Sequence, residues 1–389
     1  MTNSNKNPHL IHGFKKSYFE WRIKLGLLSF LFVRYKNPIT FFKVLKGVAA
    51  FKSRFTIEKS IPKLAMIDGK VYFNCYVSGF PNAYFFAPME MEARKSLQLP
   101  NSLLEQQSVV QIALTKKCPL NCEHCFEGAV LNQKESLTLK DHQEIIAKLQ
   151  ASCVPMIQFG GGEPMNRLAD LLTLLKGAKK TSDFAIYTSG YKLNRENALA
   201  LKSAGLTSIL LSIDHYQAEQ HNAFRRNDKA FSWAMEAAKS AINAKLVLTF
   251  VVCVTREFCK REHLLNYMHF ANENGAAFVQ FMEPRSIGNY EGKDVMLRTH
   301  ELDILDAFFL EVNTKESHHH LPILVYPGYQ QRSIGCVGAG SKYLYIDTDG
   351  YINSCPFCRN KKTHILDVQH EKSIAELRTE GCELVENLA

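Results

Sequence analysis

The chain lacks a segment that could cross a bilayer: its apolar run Leu25 to Val33 is too short to span one. A small-residue cleavage site is missing where a secretory signal would need it, so the reading is a cytoplasmic protein. Acid is scarce near the start, where Phe14 to Phe55 holds ten lysines and arginines but only Glu20 against them. Eleven cysteines in 389 residues are too few and too clustered for a secreted disulfide scaffold. The net charge of +9 is modest for this length and identifies no acidic partner. With 46% hydrophobic residues the chain can bury a full core, and its length predicts two or three units.

Seven of the eleven cysteines fall in two groups, which points to metal binding in a reducing compartment. The first group is Cys118, Cys122 and Cys125, just after the strand-like run Val109 to Leu114. Three thiolates on one loop can converge on one metal centre. A fourth ligand from His124 or His142 would make structural zinc, whereas three alone leave one iron of an iron-sulfur cluster open for chemistry. The next strand-like segment, Met156 to Phe159, runs into Gly160-Gly161-Gly162-Glu163-Pro164. Glycines there let a ligand approach the backbone, and a carboxylate beside exposed amides can hold an ammonium group. A zinc knot requires no such partner.

Together these motifs resemble the radical S-adenosylmethionine (SAM) family, whose signature is Cys-x3-Cys-x-aromatic-Cys followed by a Gly-Gly-Glu strand end. The resemblance implies that Cys118, Cys122 and Cys125 hold a 4Fe-4S cluster whose fourth iron is chelated by SAM. It places His124 against the adenine and assigns the methionine amino group to Gly161, Gly162, Glu163 and Pro164. It further implies reductive cleavage of SAM to a 5'-deoxyadenosyl radical that abstracts hydrogen from a substrate, with a reducing electron donor protein as partner.

From Gln106 onward strands and helices alternate. The expected strands are Val109 to Leu114, Met156 to Phe159, Phe184 to Tyr187, Ser208 to Ile213, Lys245 to Val252 and Ala277 to Phe281. Thr138 to Gln150, Leu168 to Lys179 and Ala230 to Asn243 read as helices between them. Six such repeats predict an α/β fold, a partial (β/α)6 TIM-like barrel with ligands at the carboxyl ends of its strands. Family resemblance directs Ser189 and Ser212 towards SAM, and Arg225 towards its carboxylate. Asp214 capping a helix, with Arg225 or Arg226 merely exposed, is the alternative, and Arg226 competes with Arg225 for the carboxylate. Cys153, Cys253 and Cys259 have no partner at metal spacing and read as packing. Met282-Glu283-Pro284-Arg285 is a candidate for the substrate side, and His318-His319-His320 reads as a solvated loop because adjacent histidines diverge.

The second cysteine group is Cys336, Cys355, Cys358 and Cys382, with a hairpin turn at Asp349-Gly350 returning Cys355 towards Cys336. Four thiolates suit a 4Fe-4S cluster or zinc equally. Cys-x13-Gly-x4-Cys after such a barrel resembles the SPASM extension or its shorter twitch form, which implies an auxiliary 4Fe-4S cluster. The expected units are residues 1–105, basic amphipathic helices with a small hairpin sheet around Asp68-Gly69 that takes in Cys75 to Phe86; 106–300, the barrel; and 301–389, a linker and the auxiliary-cluster region. Enzymes with this extension often modify ribosomally made peptides or proteins, and the resemblance makes such a peptide the leading expectation. A small molecule or membrane lipid is the alternative, and a non-catalytic metal-binding scaffold is the reading of another class. The basic first region could contact a peptide, a nucleic acid or, peripherally, an anionic membrane, or simply be solvated.

Overall fold

The computed structural model describes residues 9–55, 63–82, 84–99, 102–338 and 340–382. Residues 1–8, 56–62 and 383–389 of the expected outer units, and the side chains of Lys52 and Arg54 in the basic run, fall outside the described residues. The chain opens with β1 (His9–Ile11), α1 (Gly13–Arg34), α2 (Pro38–Phe55), β2 (Leu64–Ile67), β3 (Lys70–Tyr72) and α3 (Ala87–Ser96). Asp68 and Gly69, both at positive φ, turn β2 into antiparallel β3. The third strand of this sheet is β1, paired with β2. Cys75 to Phe86, expected in the small sheet, instead forms turns with one bridge, Val71 to Phe80, because its aromatic residues cluster under α1 rather than alternate between two faces. Cys75 is a buried core thiol, as expected.

The second sheet is built from β4 (Val109–Thr115), β5 (Met156–Gly161), β6 (Asp183–Thr188), β7 (Leu206–Ser212), β8 (Val247–Cys253), β9 (Phe278–Met282), β10 (Ile323–Val325), β11 (Tyr343–Ile346) and β12 (Ile352–Asn353). Its order is β10-β9-β8-β7-β6-β5-β4-β11-β12. All pairs are parallel except β11 with β12. The expected alternating α/β architecture with a parallel sheet is therefore present, and the sheet continues beyond six strands on both sides.

Between the strands run α4 (Leu139–Ala151), α5 (Leu168–Gly177), α6 (Arg195–Ala204), α7 (Ala218–Arg225), α8 (Ala230–Asn243) and α9 (Arg261–Glu273), then α10 (Thr299–Thr314), α11 (Pro327–Ile334) and α12 (His370–Glu380). Local chemistry sets their ends. Thr138 and Asp141 close a reciprocal cap on α4, and Gly205 at φ +116° terminates α6 so that β7 can begin at once. Apolar side chains on the helix-facing side of the sheet, such as Ile112, Phe159, Ile186, Ile209 and Phe250, pack with the helices in the main core. The opposite, inner face is mixed: Val109, Met156 and Leu210 lie near Gln111, Gln158, Thr249 and Gln280.

Candidate functional site

The loop after β4 carries the first cysteine group and is held by backbone contacts rather than by its own secondary structure. Asn132 clamps Cys118, accepting from its N–H at 3.1 Å and donating to its carbonyl at 3.1 Å. Asn289 donates its side-chain amide to the Cys122 carbonyl at 2.9 Å and its backbone N–H to the Cys125 carbonyl at 3.0 Å. A Cβ on neighbouring Gly288 would stand 2.2 Å from that carbonyl, so only glycine lets the 286–290 loop approach. Neither asparagine was singled out from sequence. A lone asparagine in a loop has no periodicity to betray it.

The three thiols border one cavity, and Cys118, Cys122 and Cys125 pack with Leu120, Ala230 and Trp233. Burial pushes the Cys118 and Cys125 thiols up to about 12. Cys122 is raised as well by burial, against the opposing pull of the Arg225 charge. Loading of metal therefore has to displace these protons. Among the described residues no three His, Cys, Asp or Glu side chains close on a single ion. His142, the other zinc ligand considered, is buried in α4 with Nδ1 2.8 Å from the Thr138 carbonyl.

Beside this loop, β5 ends at Gly160, Gly161 and Gly162. The close approach these glycines permit is to the chain itself. Gly161 has φ +104° and a Cβ there would lie 2.7 Å from the Thr115 carbonyl, while one on Gly162 would lie 2.5 Å from that of Lys117. Gly162 and Glu163 donate their N–H groups to those same carbonyls at 2.7 and 2.8 Å. The strand end is thus stitched to the root of the cysteine loop.

Glu163 is 1% exposed and fully engaged from within. Its Oε1 accepts from Thr188 Oγ1 at 2.7 Å and Met165 N–H at 3.2 Å; its Oε2 accepts from Ser189 Oγ at 2.6 Å and Ser189 N–H at 2.8 Å. Burial raises its pKa despite these donors. The side chain ties the ends of β5 and β6 together, and both Glu163 and Ser189 still border the cavity. Pro164 opens a short helical turn and is buried away from the cavity.

At the end of β7, Ser212 and Asp214 line the same cavity, as does Arg225 at the end of α7. The guanidinium donates through Nε to Asp214 Oδ2 at 2.6 Å and through Nη1 to Cys122 Sγ at 3.6 Å. Burial alone would raise the Asp214 pKa, but the Arg225 charge, together with His124, His221 and the Cys253 N–H, holds the carboxyl below the usual range. Arg225 is therefore neither solvated nor free, and Asp214 caps no helix. His124 stacks on Phe224 with ring centroids 4.8 Å apart, and burial lowers its pKa to about 4. Its Nδ1 is buried without a hydrogen-bond partner. His124 as a residue borders the cavity, beside the three thiols and the glycine strand end.

Of the unpaired cysteines, Cys253 borders the cavity, Cys259 is buried with its thiol donating to the Glu301 carbonyl at 3.4 Å, and Cys153 is exposed. Glu283 also faces the cavity, but it is bonded to Arg285 at 2.9 Å, Arg332 at 2.7 Å and Tyr326 Oη at 2.7 Å. The three histidines diverge as expected: His318 meets Glu311, His319 faces His12 and His320 faces His269.

The second cysteine group gathers at the other side of the cavity. β11 and β12 turn at Asp347 to Gly350 and bring Cys355 beneath Gly338, near Cys336. The sulfurs form a linked set: Cys336 with Cys382, Cys382 with Cys358 at 3.3 Å, and Cys358 N–H donating to Cys355 Sγ at 3.2 Å. All four are free thiols, so the set fits a thiolate-bound centre. Cys336 and Cys355 border the cavity; Cys358 and Cys382 lie behind them. Two ion pairs bind this region to the first loop, Lys116 to Asp349 at 2.6 Å and Arg359 to Glu127 at 2.7 Å.

The cavity that joins these groups has a volume of about 670 Å³, in the range of small-molecule sites. Most of its wall is apolar, and it extends from the first cysteine loop to α1 and α2.

Residues 112–268 match the model of the radical SAM superfamily. A GTP 3',8-cyclase of Chlorobaculum tepidum is 30% identical over 143 residues, covering 36% of this chain and 43% of that one. The mycofactocin maturase MftC of Mycolicibacterium smegmatis is 28% identical over 263 residues, 64% of each chain. The first of these curated relatives are matched over about half of their own length. The fold is shared with Streptococcus suis SuiB bound to its precursor peptide SuiA, at a TM-score of 0.57 and 15% identity over 76% of this chain and 71% of that one. The matched family implies a 4Fe-4S cluster and SAM, and the matched span contains all three cysteines and the glycine strand end. Residues 112–268 of this chain are thereby identified as a radical SAM domain.

Proposed function

We propose that this chain is a radical SAM enzyme that abstracts hydrogen from a substrate with an extended apolar part, seated in the cavity between the two cysteine groups. The observation that carries this reading is the cavity itself: one mostly apolar space borders the three-cysteine loop, the glycine strand end and the second cysteine group. Cys118, Cys122 and Cys125 would hold the catalytic 4Fe-4S cluster, and His124, Gly161, Gly162, Ser212 and the neighbouring Arg225 would frame SAM. Cys336, Cys355, Cys358 and Cys382 would hold an auxiliary 4Fe-4S cluster. When bound, the catalytic cluster supplies the electron that splits SAM into methionine and a 5'-deoxyadenosyl radical.

The residues themselves position and insulate. Glu163 locks the β5 and β6 ends, so the glycine backbone is presented in one arrangement. Arg225 places a fixed positive charge beside Cys122, which favours the thiolate. Apolar walls exclude water, which strengthens the polar contacts made inside the cavity.

A second reading, a ribosomally made peptide or protein as substrate, is supported by the likeness to MftC and to peptide-bound SuiB. Anaerobic reconstitution with iron and sulfide, followed by SAM and a strong reductant, tests the shared core. Formation of 5'-deoxyadenosine supports it; zinc throughout with no nucleoside would return the chain to a metal-binding scaffold. Deuterium transfer into 5'-deoxyadenosine from deuterated lipid extract or from deuterated peptide then separates the two substrates.

A further inference from the structure

Helix α1 is apolar on two opposite sides, and one of them is exposed. Its inner side, with Ile23, Leu27, Phe30 and Leu31, packs on α2, α3 and the Phe80–Phe86 cluster. Phe14, Tyr18, Trp21, Leu25, Leu28 and Phe32 recur at steps of four and three, so they form one stripe along the outer side. Every member is exposed, from 38% at Leu28 to 98% at Phe14. Ile39 and Phe42 at the start of α2 are exposed too, at 81% and 67%. At this spacing such residues ordinarily form a buried seam.

The charges beside the stripe are of one sign. Lys15, Arg22 and Lys24 on α1 and Lys43 and Lys46 on α2 are exposed. Glu20, the only acid in either helix, is half-buried and lies 3.9 Å from Lys16. Among the described residues no helix is long and apolar enough to cross a membrane. We propose that α1 and the start of α2 dock into an anionic lipid surface, with the stripe at the headgroup–acyl boundary and the basic residues on lipid phosphates. An apolar stripe flanked by lysine and arginine has the character of an interfacial helix, and the basic residues select the anionic surface by charge complementarity.

The cavity gives the surface a purpose, and this step rests on the substrate reading above. Its wall includes Ile23, Leu27, Leu45 and Val48 from the two helices and reaches exposed Lys24 and Ala49. A bilayer-dissolved chain would thus enter between α1 and α2 without crossing water.

The test is sedimentation of the full chain with vesicles of equal phosphatidylglycerol and phosphatidylcholine, against vesicles of phosphatidylcholine alone. The anionic vesicles are expected to bind the chain, with binding lost at high salt. The joint change Phe14→Ser, Trp21→Ser and Phe32→Ser, all at exposed positions, is expected to weaken it roughly tenfold or more, and Lys15→Glu with Arg22→Glu to act similarly. Equal sedimentation of the wild-type chain and the serine variant would overturn the proposal. So would absence of vesicle binding, including the case in which the wild-type chain runs as a dimer and the serine variant as a monomer, which would make a second copy the occupant. Nucleoside formation on the same preparations is a separate readout: binding without SAM cleavage removes the enzymatic reading and keeps the docking, and cleavage without binding does the reverse.

Discussion

Arg225 and Asp214 form a buried ion pair, Nε to Oδ2 at 2.6 Å, that also reaches Cys122 at 3.6 Å. One guanidinium therefore links the end of β7 to the cysteine loop after β4, beside the backbone bond from Glu123 N–H to the Phe224 carbonyl at 2.9 Å. Removing one partner leaves a charge in the interior. Asp214→Ala is expected to cost about 3–5 kcal/mol, and the double variant Asp214→Leu, Arg225→Met distinctly less. Anaerobic denaturant unfolding of the single and double variants checks this; equal losses would show that the two groups act independently.

His221 sits behind this pair, 1% exposed, its Nδ1 accepting the Asp214 N–H at 3.1 Å. Burial lowers its pKa to about 3 from the usual 6.5. The unfolded chain therefore takes up a proton as pH falls below about 6.5 while the folded chain does not. The stability this group contributes is complete above that pH and is lost as pH falls towards 3. Between pH 6.5 and pH 5 unfolding free energy should fall by up to ~1.4 kcal/mol per pH unit on account of this group. His221→Gln should flatten that slope; an unchanged slope would assign it to other groups.

Gly161 and Gly177 offer a matched comparison. Alanine at Gly161 must accept φ +104° and a Cβ 2.7 Å from a carbonyl, whereas at Gly177 nothing stands within 4 Å. Gly161→Ala should destabilise by roughly 1–3 kcal/mol and weaken SAM binding by the reconstituted protein, read by equilibrium dialysis. Gly177→Ala should leave binding unchanged and stabilise slightly, by up to about 1 kcal/mol.

The two cysteine groups should be separable by iron count. The reconstituted chain is expected to hold about eight irons, falling to about four in Cys355→Ala with Cys358→Ala. Nucleoside formation should persist in that variant and vanish in Cys118→Ala. Four irons already in the unaltered chain, together with zinc, would make the second centre zinc.

Much of the architecture could be read from residue order. The six central strands appear where the runs from Val109 to Phe281 place them, with ends displaced by a residue or two, because strands buried on both faces need continuous apolar sequence. The hairpin turn at Asp349-Gly350 was legible for a local reason too, the turn preference of its two residues. β1 was not legible: three residues carry too little pattern, and their partner lies more than fifty positions away.

What the sequence by itself determined is the chemistry available: which thiols stand at cluster spacing, which strand end is glycine, and where basic and apolar residues alternate in the first helices. These are properties of neighbours along the chain. The tertiary structure alone decided how that chemistry is wired. It turned Glu163 inward onto Thr188 and Ser189, set Arg225 between Asp214 and Cys122, and laid β11 beside β4 so that both cysteine groups border one cavity. It also left the stripe from Phe14 to Phe32 facing solvent. Helical spacing shows only that residues share a face; which faces are covered depends on how distant elements pack, and no local pattern encodes that.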